Sequence, residues 1–359
     1  MVNKSFWKGK RIFITGHTGF KGSWLTRWLH ILGAEVCGYA LAPNTNRSLF
    51  YSAKVSKYVK SIFGDIRDLE KLKTSMLEFQ PDIVVHMAAQ PLVGESYEQP
   101  VETFSINTMG TVNVLESIRS CPSVKVMVNV TTDKVYENKE WVWGYRETDR
   151  LGGYDPYSSS KACSELITFS YMNSFFHPDK YSVHGVAIAT ARAGNVIGGG
   201  DWTKNRLIPD VISAIENRQN IIIRNPYSIR PWQHVLEALS GYLKLIENLY
   251  NNGVQFNGAW NFGPGKGSFA TVLQIVEQMN EEAQRDIQII PSDLHETVEL
   301  RLDSTKSNQL LTWQTILTFD KTIQFIKEWI QIDIEKDSDS LCEKQIQMYM
   351  KERIFNDSK

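Results

Sequence analysis

Cysteine is scarce in this sequence. Four of the 359 residues are cysteines, at positions 37, 121, 163 and 342, without a C-x-x-C pair or a Cys/His spacing typical of metal ligands. Disulfide-rich folds and zinc modules depend on such spacings. The sequence therefore favours free thiols and predicts no metal site.

Long apolar runs and an excess of one charge are also missing. No apolar run reaches the roughly 18 residues of a membrane span. Lys plus Arg is 39 and Asp plus Glu is 40, which gives a net charge of −1 and no overall attraction to nucleic acid or anionic membranes. Met1 to Trp7 contains no signal-peptide core. We expect a cytoplasmic protein that binds neither nucleic acid nor membrane.

What is present is an alternation of buried strands and amphipathic helices. Residues 10–15, 35–41, 58–63, 83–86, 125–130 and 183–190 read as strands, and residues 23–32, 69–79, 100–120 and 156–176 read as helices. Continuous apolar strands that alternate with helices are typical of a parallel sheet covered on both faces. The pattern predicts a doubly wound α/β fold of the Rossmann type.

The alternation becomes irregular after about residue 190. Helical stretches near 207–217, 234–250, 270–282 and 320–333 mix there with short strands near 221–224, 258–262 and 286–290. We therefore expect a dinucleotide-binding domain at 1–190 with returns from the later chain. A smaller α+β substrate lobe would span mainly 191–335, and a charged terminal helix 336–359.

A glycine turn joins the first strand to the first long helix. Gly16, Gly19 and Gly22 allow a tight turn and close approach of backbone N–H groups to an anion at the helix N-terminus. Residues 16–22 are the predicted cofactor loop: Gly16, His17, Thr18, Gly19, Phe20, Lys21 and Gly22. His17 and Lys21 are bulky for this position, so we expect them to crowd the pyrophosphate. Lys21 is equally compatible with a phosphate contact and with a solvated helix position.

The end of the second strand lacks a ribose-binding acid. Residues 37–43 read CGYALAP, without Asp or Glu, whereas an acid there binds the ribose hydroxyls of NAD in this fold. No basic clamp for a 2′-phosphate stands at the strand end either, although Arg47 is nearby. The sequence favours NAD over NADP as the cofactor. Because the ribose-binding acid is missing, we expect the protein to retain NAD weakly.

Two further segments follow strands that end at the same edge. Asp65 can accept the adenine amino group and Ile66 can pack on its ring, or Asp65 is a helix N-cap. Ala88, Ala89 and Gln90 follow the fourth strand, where small residues leave room for a flat cofactor. His86 alone is more typical of a packed core residue.

A tyrosine and a lysine four residues apart form the predicted reactive site. Tyr157 and Lys161 lie on one helix face, and an ammonium beside a phenol lowers its pKa by charge proximity. A phenolate can take a proton from a sugar hydroxyl while hydride leaves. Thr132, about 25 residues earlier, would hydrogen-bond the same oxygen.

Seven motifs in order carry a resemblance to a known family. They are G16-x-x-G-x-x-G22, G64-D-I66, H86-x-A-A89, N107-x-x-G-T111, T132-D133, Y157-x-x-x-K161 and R192-A-G-N-V196. Over roughly residues 8–335 the chain resembles the extended short-chain dehydrogenase/reductases that modify nucleotide sugars. Thr132-Asp133-Lys134 is similar to the Thr-Asp-Glu of the family's 4,6-dehydratases, with Lys134 at the Glu position.

The resemblance implies an NAD-dependent dehydration of a nucleotide sugar. Tyr157 would accept the C4 hydroxyl proton, Lys134 the C5 proton, and Asp133 would protonate the departing C6 hydroxyl. Lys134 is also compatible with simple anchoring of an anion. The substrate diphosphate would be bound by Asn195, Arg206, Arg230 and Arg301. The family's dimers pair helices like those near 100–120 and 157–176, so a homodimer or a dimer of dimers is expected.

Two other functions stay open at this point. A nucleotide-sugar 4-epimerase would use Tyr157 and NAD but no acid/base pair for C5. A non-catalytic protein that only senses the dinucleotide is disfavoured, because this chain keeps both Tyr157 and Lys161. The nucleotide base follows from resemblance alone.

Overall fold

A seven-stranded parallel sheet forms the centre of the molecule. The computed structural model describes residues 2–204, 206–265, 269–290 and 300–357. The strand order is β11-β6-β5-β4-β1-β2-β3, and every pair in it is parallel. The predicted doubly wound α/β fold is thereby confirmed.

The strands are short, as parallel strands between crossover helices usually are. Their bounds are β1 (Arg11–Thr15), β2 (Glu35–Ala40), β3 (Lys60–Phe63), β4 (Ile83–His86), β5 (Val126–Val130), β6 (Ala187–Ala193), β7 (Val196–Ile197), β8 (Ile221–Ile223), β9 (Ile229–Pro231), β10 (Gln233–His234), β11 (Gly258–Phe262), β12 (Phe269–Thr271) and β13 (Ile287–Ile289). The six strands outside the main sheet form three two-stranded pairs, β10-β7, β12-β9 and β13-β8.

Helices cover both faces of the sheet and build the second lobe. Their bounds are α1 (Lys4–Trp7), α2 (Phe20–Ile31), α3 (Leu49–Ser52), α4 (Leu69–Phe79), α5 (Val93–Glu98), α6 (Pro100–Phe104), α7 (Gly110–Arg119), α8 (Pro156–Ser174), α9 (Tyr181–His184), α10 (Leu207–Glu216), α11 (Val235–Asn252), α12 (Val272–Asn280), α13 (Thr305–Leu310), α14 (Phe319–Ile330) and α15 (Ile334–Asp357). Within the described residues, none of these helices has the length and apolar character needed to cross a bilayer.

Two apolar layers sandwich the main sheet. One contains α2, α3, α11 and α15 and includes Trp24, Trp28 and Leu239. The other contains α4 and α7 with part of α8, and includes Leu72 and Val114. The strands other than the edge strand β3 are largely buried, and their side chains are mostly apolar, which is the pattern that made them readable from sequence.

Two segments of the later chain belong to the main sheet and its helical layer. Residues 234–250 and 258–262 were expected in the smaller lobe, but β11 pairs with β6 as the edge strand and α11 packs in the core of the first layer. Short strands and helices do not reveal from local pattern which sheet they join. The separate apolar core of the smaller lobe comes mainly from α10, α12, α14 and β8.

Several element boundaries also differ from the predicted ones. Residues 181–184 are the short helix α9, so the sixth strand begins at Ala187 and extends to Ala193. The helix expected over 100–120 is divided into α6, a π turn at Ser105–Met109 and α7. The helices over 69–79 and 156–174 agree with the expectation.

The terminal helix α15 fastens the smaller lobe to the main sheet. Buried Arg27 of α2 pairs with Asp339 at 2.8 Å, and its guanidinium lies 3.6 Å from the Tyr58 ring. The Tyr349 hydroxyl donates to Glu237 of α11 at 2.6 Å, and Trp329 of α14 donates to Gln345 at 3.0 Å. The charged terminal segment is therefore an integral layer of the fold.

Candidate active site

The glycine turn closes tightly between β1 and α2. Gly16 has a φ of +80°, and a Cβ there would lie 2.7 Å from the Ala88 backbone nitrogen. A Cβ on Gly22 would overlap the Gly16 carbonyl oxygen. Gly19 is the N-cap of α2 and supplies no side-chain hydrogen bond, so within the described residues the first N–H groups of α2 remain available to an anion. This turn fits the diphosphate of a dinucleotide.

His17 does not lie where it was expected. Its side chain is fully buried, its Nε2 lies 2.5 Å from the Ser61 hydroxyl, and its ring stands on Gly38, where any Cβ would overlap it. Burial lowers the pKa of His17 to about 4, so the ring is neutral. The imidazole therefore packs under β2 and β3, and the predicted crowding of the pyrophosphate does not come from His17.

Lys21 is the charged member of the turn. It lies in the first turn of α2, where the helix dipole disfavours a cation. Burial, followed by the Arg206 charge, lowers the pKa of Lys21 to about 8, while the Asp133 charge opposes this shift. Lys21 is half-buried and lies near enough to Arg206 and Asp133 for their charges to act on it.

The remaining turn residues connect to neighbouring segments. The Thr18 hydroxyl donates to the Leu41 carbonyl at 2.9 Å, which fixes the turn to the loop after β2. Phe20, the first residue of α2, lies beside Gly198, where a Cβ would be 3.1 Å from its ring.

Asp65 and Ile66 follow β3 as expected, but both side chains already have protein partners. The Asp65 carboxylate binds the Arg67 guanidinium, with Nη2 to Oδ2 at 2.5 Å, and this hydrogen bond holds its pKa below the usual value. Ile66 is buried against Gly110. The N-cap of α4 is Asp68 instead of Asp65.

The segment after β4 is held by its backbone. The Ala88 N–H donates to Thr15 at 3.2 Å, and the Gln90 N–H donates to Asn107 at 2.8 Å. Ala88 and Ala89 are half-buried, and Gln90 is buried with its amide bound to Thr103. His86 is a core residue, since burial lowers its pKa to about 3 and it lies 2.7 Å from the Thr15 hydroxyl.

The reactive side chains converge where β5 meets α8. Asp155 caps α8 and accepts from the Ser158 N–H, so Tyr157 lies in the first helical turn. The Tyr157 hydroxyl lies near Thr132, which comes two residues after the end of β5. The expected meeting of Thr132 and Tyr157 is present in the structure.

The phenol pKa differs from the sequence-based expectation. Burial raises the pKa of Tyr157 to about 12, against the opposing effects of the Thr132 hydrogen bond and the Arg206 charge. Lys161 is buried, its Nζ donates to the Val130 carbonyl at 2.9 Å, and burial lowers its pKa to about 8. The phenol pKa is therefore raised and not lowered, because its desolvation outweighs the opposing Arg206 charge.

Asp133 and Lys134 begin a short turn next to Tyr157. Asp133 is buried, and its Oδ1 accepts from the Thr132 hydroxyl at 3.0 Å. A Cβ on Gly194 would lie 2.9 Å from Asp133 Oδ2, so glycine leaves room for this carboxylate. Lys134 is half-buried, and in the described part of the chain its ammonium has no hydrogen-bond partner.

A buried ion pair below these residues was missed in the sequence. Arg192 of β6 binds Glu165 of α8 through two N–H···O contacts of 2.9 Å, and both side chains are 4% exposed. Glu165 also accepts from Thr131 at 2.5 Å and from Thr190 at 2.6 Å. The available signal in the sequence was the position of the two charged residues. Glu165 lies one turn after Lys161 on α8, and Arg192 interrupts an apolar strand.

The four expected diphosphate ligands are spread over the smaller lobe and its junction. Arg206 precedes α10, pairs with buried Asp201 at 3.3 Å and acts on both Tyr157 and Lys21 through its charge. Asn195 is half-buried after β6, and the Arg301 backbone carbonyl accepts from Tyr145. Arg230 lies in β9, and its side chain is outside the described part of the structure.

Comparison with known proteins agrees with this arrangement. CDP-glucose 4,6-dehydratase of Salmonella typhimurium is 51% identical over 354 residues, which is 98% of this chain and 99% of the relative. The solved structure of epimerase Mth375 of Methanothermobacter thermautotrophicus has a TM-score of 0.78 at 22% identity and covers 95% of this chain and 96% of its own. The NAD complex of dTDP-glucose 4,6-dehydratase from Bacillus anthracis has a TM-score of 0.74 at 20% identity and covers 90% of this chain and 97% of its own.

A family model described as GDP-mannose 4,6 dehydratase matches residues 13–326, from β1 into α14. The match spans the glycine turn, Thr132 to Lys134, Tyr157 and Lys161, and it confirms the resemblance that these motifs carried. The chain belongs to the GDP-mannose 4,6 dehydratase family.

Proposed function

We propose that the protein is an NAD-dependent hydro-lyase that converts CDP-D-glucose to CDP-4-keto-6-deoxy-D-glucose. The observation that carries the reaction is the grouping of buried Thr132 and Asp133 with half-buried Tyr157, and Lys134 follows Asp133 in the chain. The CDP-sugar is supported by the 51% identity to a CDP-glucose 4,6-dehydratase over nearly the whole of both chains.

The assignment of NAD as cofactor is supported by the glycine turn and by the ion pair that Arg47 makes with Glu216. Gly16 and Gly22 leave no room for side chains, and the uncapped N-terminus of α2 suits a diphosphate. Arg47 is ion-paired with Glu216 at 2.9 Å, so its guanidinium is engaged elsewhere than at a 2′-phosphate. This supports NAD over NADP. Hydride acceptance at C4 of the sugar and hydride return at C6 is the chemistry that bound NAD supplies.

Tyr157 is assigned the C4 hydroxyl proton. Its hydroxyl lies near Thr132, and a phenol oxygen can both donate and accept a hydrogen bond with a sugar hydroxyl. Because burial raises the phenol pKa, proton removal depends on positive charge near the hydroxyl, and the Arg206 guanidinium supplies such a charge. Lys161 lies one helical turn after Tyr157 on α8.

Asp133 and Lys134 are assigned the loss of water. Once C4 is a ketone, the C5 proton is acidic, and the Lys134 amine takes it when neutral. Asp133, when protonated, gives its proton to the C6 hydroxyl, which leaves as water. Lys134 gives its proton back to C5 as the hydride taken from C4 is returned at C6, so the reaction has no net redox change.

The substrate diphosphate is assigned to cations of the smaller lobe. Arg206 lies at the junction between the lobes, with a third of its side chain exposed. Asn195, Arg230 and Arg301 complete the proposed set. The main sheet with α11 and β11 would then bind the dinucleotide, and the smaller lobe would bind the nucleotide sugar. We place this reaction in the cytoplasm.

We also propose a homodimer, alone or paired again into a tetramer. The outer face of α8 exposes Leu166 and Phe169, and the neighbouring segment exposes Val101 and Met109. Side chains of this size on adjacent exposed helices are typical of an interface between copies of a chain.

A panel of sugar nucleotides tests the proposed reaction. With NAD⁺ present, incubation with CDP-glucose should give a product 18 mass units lighter, as loss of one water requires, and UDP-, dTDP- and GDP-sugars should react far more slowly. Mass spectrometry follows the conversion. Isomerisation at C4 without loss of water would indicate the 4-epimerase instead, and preference for another base would correct the substrate.

The phenol of Tyr157 is tested by removing its hydroxyl. Tyr157→Phe should lower kcat by at least about 100-fold, the usual contribution of a positioned acid or base, while the Kd for CDP-glucose changes little. Turnover is measured by product formation and Kd by calorimetry. Near-normal turnover would contradict the assigned role.

The assignment of Lys134 is tested separately from that of Tyr157. Lys134→Ala should block loss of water but still allow oxidation at C4, seen as transient absorbance of reduced nicotinamide at the first turnover. Lys139→Ala is the matched control, because Lys139 is an exposed lysine of the same loop that pairs with Glu137. Loss of water at the parental rate in Lys134→Ala would show that another group takes the C5 proton.

The proposed interface is tested by placing charge on it. Phe169→Asp should shift the protein from dimer to monomer in sedimentation, because the exposed aromatic would be replaced by a carboxylate that has to be desolvated on association. Val183→Asp, at a position that is 85% exposed on α9, is the control. Equal masses for wild type and Phe169→Asp would place the interface elsewhere.

A further inference from the structure

Arg47 makes a contact between segments that are far apart in sequence. Its Nη2 lies 2.9 and 3.0 Å from the two carboxylate oxygens of Glu216, the last residue of α10. Its guanidinium also lies 4.0 Å from the Trp202 ring, in the loop that follows β7. We call Arg47, Trp202 and Glu216 the clasp. It joins the loop after β2 to the smaller lobe.

The first partner segment lies at the edge of the sheet where a dinucleotide binds. Residues 41–48 directly follow β2, whose carboxyl end is where the adenosine ribose is held in this fold. The loop is tied to the glycine turn, because the Thr18 hydroxyl donates to the Leu41 carbonyl at 2.9 Å. Movement of this loop would therefore be transmitted to the turn.

The second partner segment runs along α2. The Trp24 indole of α2 donates to the Gly199 carbonyl at 3.0 Å, and Gly198 stands beside Phe20 at the helix start. A Cβ on Gly200 would lie 2.6 Å from Leu49 Cδ1, directly after the loop that carries Arg47. Residues 198–202 thus lie along the N-terminal half of α2 and reach the loop after β2, where the clasp joins the two.

From this arrangement we propose that the clasp is a latch on the adenosine side of the dinucleotide site, which opens when the cofactor exchanges. The proposal rests on the cofactor assignment made above. With the clasp closed, the loop after β2 and the loop after β7 are held together around the start of α2. With it open, the loop after β2 is released from the smaller lobe.

The strength of the clasp suits a contact that opens and closes. The Arg47 side chain is 46% exposed and that of Glu216 is 26% exposed. Ion pairs and cation–π contacts at such exposure contribute modestly to stability, so opening does not require unfolding. Residues 37–43 contain no acid to hold the ribose, so closure of the loops adds to the hold that the glycine turn has on the cofactor.

The release rate of the dinucleotide tests the latch without using the enzyme's activity. Enzyme loaded with NADH is mixed with excess NAD⁺, and the loss of bound-NADH fluorescence gives the dissociation rate. Glu216→Gln should release NADH about two- to fivefold faster, as expected from losing one exposed ion pair. Arg47→Ala should release it about five- to tenfold faster, because the stacking on Trp202 is lost as well. The double variant should be no faster than Arg47→Ala, because both residues act in one contact.

Two further variants control this measurement. Glu35→Gln removes an exposed ion pair to Arg11 at the amino ends of β1 and β2, away from the dinucleotide site. This variant should leave the NADH release rate unchanged. Arg47→Lys keeps the charge but loses the planar stacking, and should give an intermediate rate. Unchanged release from Arg47→Ala and Glu216→Gln, with NADH binding intact, would overturn the latch alone. A wild-type chain that binds no dinucleotide would overturn the cofactor assignment and the latch together.

Discussion

The buried pair of Arg192 and Glu165 is the contact on which the reactive site depends. A charge in the interior is tolerated only when it is paired and hydrogen-bonded, and here the carboxylate accepts from the guanidinium and from Thr131 and Thr190. Glu165 thereby fixes α8 against β5 and β6, the elements that carry Tyr157 and Thr132. Removal of either charge would leave the other buried without compensation.

The same network extends toward the second half of the chain. The Arg192 guanidinium donates to the Tyr136 hydroxyl at 2.8 Å, which in turn donates to Asn261 of β11 at 2.7 Å. The turn with Asp133 and Lys134 is therefore held between α8 and the edge strand of the sheet. Preorganisation of this kind keeps reacting groups in place at little cost during the reaction.

Much of the fold could be read from the sequence, because buried parallel strands are continuous apolar runs and their helices have a clear period. The bounds of α4 and β4 agree with the expectation. The destination of β11 could not be read, since a five-residue strand fits many sheets equally well. In the site, the pairing of Thr132 with Tyr157 followed from motif spacing. The buried position of His17 could not be predicted from the sequence, because it depends on the space that Gly38 leaves for the ring, and that contact exists only in the folded chain.

The return of β11 to the sheet has a consequence for how the chain acquires its structure. Until residue 262 is available, the backbone of β6 presents an unpaired edge, and α11 is missing from the layer below the strands. An apolar strand with an open edge is a template for wrong pairing. Residues 11–193 thus hold six of the seven strands of the sheet, and the β6 edge stays open until residues 258–262 cover it.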